Sequence, residues 1–136
     1  MIQGSILLVE DNAKDEALTL RALSKSNIAN KVDVVRDGAQ ALDFLLDEAR
    51  PLPQLVLLDL KLPKVDGLEV LKRIRAEERT KLLPIVILTT STEDSDRLEG
   101  YTLGANSYVR KPVDFDQFLD AVRQLCLLYT SDAADE

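Results

Sequence analysis

Leu55-Val56-Leu57-Leu58, with Asp59 directly behind it, is the stretch that decides the fold. All four residues are apolar, without alternation, as in a strand buried on both faces. The same kind of run recurs outward in both directions. Ser5-Ile6-Leu7-Leu8-Val9 and Pro84-Ile85-Val86-Ile87-Leu88 are apolar nearly throughout, Val32-Asp33-Val34-Val35 alternates more, and Ser107-Tyr108-Val109 is a short fifth run. Helical spacing fills the intervals. Ala17, Leu20 and Leu23 fit one face. Ala41, Leu42, Leu45, Leu46 and Ala49 fit a second, and Leu68, Leu71 and Ile74 a third. Phe115, Phe118, Leu119, Val122 and Leu125 fit a fifth, while the fourth, over 94–103, has a weak apolar stripe and is expected to be the most loosely held. Asp37 with Gln40, Asp66 with Glu69 and Asp114 with Gln117 have the spacing of capping boxes. Pro51-Leu52-Pro53 punctuates the entry to the third strand. Repeated β–α alternation predicts an α/β fold, a parallel sheet covered by helices on both faces through right-handed crossovers. Chemistry in such folds sits at the carboxyl ends of the strands.

The length of 136 residues suits one domain with a substantial core. With 46% hydrophobic and 30% charged residues, 5 Gly and 5 Pro, the chain reads as an ordinary globular domain rather than a disordered or collagen-like one. Seventeen basic against 24 acidic residues leave a net charge of −7, which argues against nucleic acid and anionic membranes as partners. The absence of histidine excludes a His general base, a His zinc ligand and a phosphohistidine on this chain. A single cysteine, Cys126, excludes an intrachain disulfide and a CxxC site. No apolar run approaches a membrane span, and Met1-Ile2-Gln3-Gly4-Ser5 lacks the regions of a signal peptide, so a cytoplasmic location is expected.

The strand ends carry the functional signal. Glu10 and Asp11 follow the first run, Asp59 the third, Thr89 and Thr90 the fourth, and Arg110, Lys111 and Pro112 the fifth. Taken alone, Asp11 or Asn12 reads as a helix cap, a strand-end Thr as nothing in particular and a Lys as solvated surface. Their joint occurrence at four strand ends is not explained that way. Clustered carboxylates repel one another unless a cation holds them. Oxygen ligands without His or Cys point to Mg2+, or Mn2+, rather than Zn2+. A carboxylate beside such a metal can act as a nucleophile and form an aspartyl phosphate, with lysine and hydroxyl donors stabilising the transferring group.

At these residues the sequence resembles the receiver domain of two-component response regulators. The resemblance spans about residues 5–125 and rests on Leu8-Val9-Glu10-Asp11-Asn12, Leu57-Leu58-Asp59-Leu60-Lys61-Leu62-Pro63, Asp66-Gly67, Ile87-Leu88-Thr89-Thr90, and the segment from Gly104 to Pro112. It implies a flavodoxin-like doubly wound sheet of five strands in the order 2-1-3-4-5, with five helices. It implies that Asp59 accepts a phosphoryl group from a sensor histidine kinase. Asp11, Asp59 and the backbone carbonyl of Lys61 would bind the metal directly, and Glu10 through water. Thr89 and Lys111 would bind the phosphoryl oxygens, Thr89 and Tyr108 would form the switch, and the Lys111-Pro112 peptide would be cis. The acidic pair is Glu-Asp rather than Asp-Asp, Thr90 is bulkier than the small residue common there, and Lys61 and Ser91 occupy positions that tune dephosphorylation in the family. The Asp11-Asn12-x-x-Asp15-Glu16 spacing, Pro51-Leu52-Pro53 and the segment from Asn106 to Phe115 further resemble the single-domain regulators that partner bacterial phytochromes.

Residues 126–136 resemble one reading frame of a sequencing adapter, so the expected organisation is a receiver domain over 1–125 followed by a non-native tail. In the phytochrome-partner group a C-terminal extension helps to build a dimer, and the foreign tail would stand in its place, so the expectation leaves monomer and homodimer both open; a histidine phosphotransfer protein is one expected downstream partner. The chain is expected to catalyse only its own Mg2+-dependent phosphotransfer and dephosphorylation. Two other readings compete: a receiver-fold interaction module that works without phosphate, and a Mg2+-dependent phosphohydrolase. The latter needs a second Asp two places after the nucleophile, where Lys61 stands. A nucleotide-binding flavodoxin-like reading is disfavoured because no Gly-rich phosphate loop follows the first strand.

Overall fold

The computed structural model describes residues 4–25, 30–89, 103–110 and 116. The apolar runs form the strands β1 (Ile6–Val9), β2 (Val32–Val35), β3 (Leu55–Leu58), β4 (Ile85–Thr89) and β5 (Ser107–Arg110). All pairings are parallel, in the order β2-β1-β3-β4-β5. The expected sheet order is therefore present. The strand bounds differ from the sequence reading by one residue at Ser5, Pro84, Thr89 and Arg110, within the usual ambiguity of element ends. Three helices are described: α1 (Ala13–Lys25), α2 (Gly38–Leu46) and α3 (Gly67–Ala76). The fourth and fifth expected helices, with the Asp114–Gln117 cap, lie outside the described residues, as does the 126–136 tail.

The pleat sorts the unalternating runs into two cores. Leu7, Val9, Val56, Leu58, Ile85 and Ile87 face one side, where Ala41, Leu42 and Leu45 of α2 and Val70, Leu71 and Ile74 of α3 pack. Ile6, Leu8, Leu55, Leu57, Val86 and Leu88 face the other, with Ala22 and Leu23 of α1. Each side chain changes face from its neighbour because the strand period is two. Burying both faces demands apolar residues at every position of the central strands, and burial of each large side chain contributes about 1.5–3 kcal/mol before entropy is counted.

Helix faces depart from the sequence reading where apolarity is a poor guide. In α1 the buried residues are Thr19, Ala22 and Leu23, while Ala17 is exposed and Leu20 half-buried. In α2, Leu46 and Ala49 are exposed because the helix ends at Leu46, with the Asp47 C-cap extended at φ −80°, ψ 106°. The Arg79 guanidinium donates to the carbonyls of Leu45, at 3.4 Å, and Asp47, at 3.2 Å, which satisfies backbone oxygens that the helix end leaves open. In α3, Val70 joins Leu71 and Ile74 in the core and Leu68 is half-buried.

The far end of α3 fixes the approach to β5. Arg75 donates to Thr80 O at 3.3 Å, to Gly104 O at 3.0 and 2.8 Å, and to Asn106 Oδ1 at 3.1 Å. Asn106 Oδ1 also accepts from Ile85 N at 2.8 Å, which ties the turn to the first residue of β4. Gly104 has φ +104°, a region glycine enters without the Cβ clash. Burial lowers the Arg75 pKa from its ordinary value, yet a guanidinium stays charged in any physiological range. Among the described residues no helix is long and apolar enough to cross a membrane.

Candidate functional site

The register of the sheet builds the site. Val9 is the Cα partner of Leu58, Leu58 of Ile87, and Ile87 of Tyr108. Glu10 and Asp59 are the next residues of β1 and β3, so they leave the sheet side by side. Backbone bonds extend the ladder to them: Glu10 N donates to Val35 O at 3.0 Å and Asp59 N to Val9 O at 3.1 Å. Both are buried, Glu10 at 1% and Asp59 at 7% exposure. By strand parity they continue the rows Ile6-Leu8 and Leu55-Leu57, which is the face that α1 covers.

That parity brings in a residue the sequence reading did not assign to the metal. One carboxylate oxygen from each of Glu10, Asp15 and Asp59 lies within 4.8 Å of the other two. Asp15 is in the first turn of α1, whose start is set by Asn12: Asn12 Oδ1 accepts from Asp15 N at 3.0 Å. The next acidic residue, Glu16, is instead engaged by Arg36 at the end of β2, whose guanidinium binds it through both carboxylate oxygens. The Asp-x-x-x-Asp spacing was visible in the sequence as a mark of resemblance; the pleat parity of Glu10 and Asp59 is the signal that gives Asp15 its place.

The remaining expected site residues distribute as follows. Asp11 is exposed and, with Lys61, Leu60, Leu62, Pro63, Asp66 and Leu68, lines a cleft of about 370 Å³. Asp59 Oδ1 accepts from Lys61 N at 3.1 Å and Glu10 Oε2 from Asn12 N at 3.3 Å, so backbone N–H groups orient both carboxylates. Thr89 ends β4 opposite Arg110, one row beyond Ile87 and Tyr108 and their next neighbours. Thr90, Ser91, Lys111 and Pro112, and with them the expected cis peptide, lie outside the described residues. Three buried or half-buried carboxylates in one place, with no nitrogen or sulfur ligand in the cluster among the described residues, fit a hard divalent cation of the Mg2+ or Mn2+ kind.

A family model described as the response regulator receiver domain matches residues 6–123. The chain is 46% identical over 123 residues to the probable methanogenesis regulatory protein FilR2 of Methanothrix harundinacea, covering 88% of this chain and 79% of that one. It is 42% identical over 110 residues to the response regulator Rcp1 of Synechocystis sp., covering 78% and 75%. The solved structure of the phosphorylated cyanobacterial phytochrome response regulator RcpA superposes with a TM-score of 0.86 at 36% identity and covers 96% of each chain. The Mn2+-bound form of Rcp1 superposes with a TM-score of 0.84 at 37% identity, covering 93% and 94%.

Proposed function

The chain belongs to the response regulator receiver family, and from that premise we propose that it is a phosphorelay switch whose phosphoacceptor is Asp59. The observation that carries the assignment is the placement of the Asp59 carboxylate, buried at the end of the third strand within 4.8 Å of the Glu10 and Asp15 carboxylates. A divalent cation, when bound, offsets the charge of these carboxylates and of the incoming phosphoryl oxygens. The Mn2+-bound form of the similar Rcp1 supports that fit. In this reading Glu10, Asp15 and Asp59, whose carboxylates converge, would hold it together with Asp11 and the Lys61 carbonyl.

In the transfer, an Asp59 carboxylate oxygen attacks phosphorus, a P–O bond forms, and the P–N bond to the donor imidazole breaks. The imidazole leaves with that electron pair and takes a proton from solvent. The donor imidazole lies outside these 136 residues, which hold no histidine. A sensor histidine kinase of the phytochrome class is the proposed donor, supported by the likeness to RcpA. Thr89, the last residue of β4, and Lys111, next in sequence after β5, would receive the phosphoryl oxygens, with Tyr108 on β5 reporting the change to the partner-binding face. The chain turns over no other substrate in this reading, and its output is protein binding or onward transfer to a histidine phosphotransfer protein.

Intact-mass measurement after incubation with acetyl phosphate and Mg2+ tests the assignment. The parent is expected to gain one phosphoryl mass, and both chelation and Asp59→Asn are expected to abolish the gain. Equal phosphorylation of Asp59→Asn would overturn the assignment, and no gain by the folded parent would favour the phosphate-independent module.

A further inference from the structure

We propose that Gly38, at the start of α2, is a positioning residue for the divalent-cation site: its missing side chain lets residues 63–65 seat against the helix, and that seat sets where Asp59 and the Lys61 carbonyl stand. The inference rests on the cation chemistry proposed for Asp59.

Gly38 is buried, and a Cβ built on it would stand 1.7 Å from Val65 O, 2.5 Å from the Val65 carbonyl carbon and 2.7 Å from Val65 Cβ. Two of those three atoms are backbone, so no side-chain rotation relieves the clash; the loop itself must move. The seat is also bonded. Gly38 N donates to Pro63 O at 3.3 Å, and Lys64 Nζ stands 3.6 Å from Asp37 Oδ2. Lys64 has φ +68°, a left-handed conformation that side chains disfavour and that surrounding contacts must hold.

Displacement at Val65 has little room to dissipate before it reaches the carboxylate. Short-range bonds stiffen the loop: Val65 N to Pro63 O at 2.8 Å, Leu62 N to Leu60 O at 3.2 Å, and Lys61 N to Asp59 Oδ1 at 3.1 Å. Its other end is blocked as well. A Cβ on Gly67 would stand 2.3 Å from Asp59 O and 2.6 Å from Leu60 Cα, and Gly67 N donates to Leu60 O at 2.9 Å. The loop is thus held between two helix starts, and a push from α2 is passed toward Lys61 and Asp59.

Helix propensity alone predicts the opposite outcome, because alanine is a better helix former than glycine and Gly38→Ala would then be neutral or stabilising. The test is Mn2+ binding by the full chain, followed by electron paramagnetic resonance of free Mn2+, alongside thermal unfolding. Gly38→Ala is expected to weaken Mn2+ binding by about tenfold or more, the size typical for losing a group that orients metal ligands. Parent-like affinity in a folded Gly38→Ala protein would overturn the inference. Should Gly38→Ala not fold, Lys64→Gly relaxes the loop, and Gly38→Ala/Lys64→Gly is compared with Lys64→Gly alone. The double variant is expected to bind several-fold more weakly, and equal affinity overturns the inference. Absence of Mn2+ binding by the parent would instead overturn the cation site itself, so the two failures are distinguishable.

Discussion

Asp37-Gly38-Ala39-Gln40-Ala41-Leu42 and Asp66-Gly67-Leu68-Glu69-Val70-Leu71 open α2 and α3 with one pattern. Each aspartate caps its helix, Asp37 Oδ1 accepting from Gln40 N at 2.7 Å and Asp66 Oδ1 from Glu69 N at 3.1 Å. Each glycine lies against backbone of the segment from Asp59 to Val65. The two starts nevertheless behave differently. Asp37 is buried at 6% exposure, and Gln40 Oε1 reaches back to accept from Arg36 N at 2.8 Å, which closes the start on itself. Asp66 is exposed on the cleft, and Glu69 turns away to Arg73, with Nε at 3.0 Å. One local code thus makes a closed start behind the site and an open one at its mouth. Burial, not the motif, decides which.

The largest effects that bear on this contrast come from the leucines that end the two patterns. Leu71 is fully buried and Leu42 nearly so. Leu71→Ala is expected to lower stability by about 3–5 kcal/mol and Leu42→Ala by about 2–4 kcal/mol. Urea unfolding checks both through a fall in midpoint at unchanged slope. The reverse order would place the tighter packing on α2. Next in size are the caps themselves. Asp37→Ala is expected to cost about 2 kcal/mol, because it removes a buried cap together with its contact to Lys64, and Asp66→Ala about 0.5–1 kcal/mol. Equal costs would erase the distinction between closed and open starts.

Much of this was legible in the sequence, for a physical reason. Strands buried on both faces need apolar residues throughout, so β1, β3 and β4 announce themselves, and the acidic residues behind β1 and β3 mark the site. Legibility fails where polarity and burial part company. Thr19 occupies a core position of α1, its hydroxyl without a hydrogen-bond partner among the described residues, while apolar Ala17 faces out. A pattern read from apolarity alone therefore finds Leu23 and the half-buried Leu20 but admits Ala17 and misses Thr19. Asp15 escapes for a related reason: its place depends on which pleat face Glu10 and Asp59 share, a property of the sheet and its covering helix together. Capping-box spacing predicts the aspartate half of each box and not whether the partner returns, since Glu69 finds Arg73 on its own helix and Gln40, which carries no charge, does not compete for such a pair.

The smallest effects separate the two starts by salt. Gln40→Ala removes a neutral hydrogen bond to the Arg36 N–H and is expected to cost about 0.5–1 kcal/mol, because that donor then depends on water. Glu69→Ala removes an exposed i,i+4 ion pair and is expected to cost about 0.3–0.5 kcal/mol at low salt. Raising NaCl to about 1 M shortens the screening length to about 3 Å, so the Glu69→Ala cost should shrink toward zero while that of Gln40→Ala holds. Paired urea titrations at the two salt concentrations read this directly. A salt-dependent Gln40→Ala effect would mean that the α2 start is held by charge, through Asp37 and Lys64, rather than by the returning amide, and the closed start would then owe its rigidity to the loop it supports.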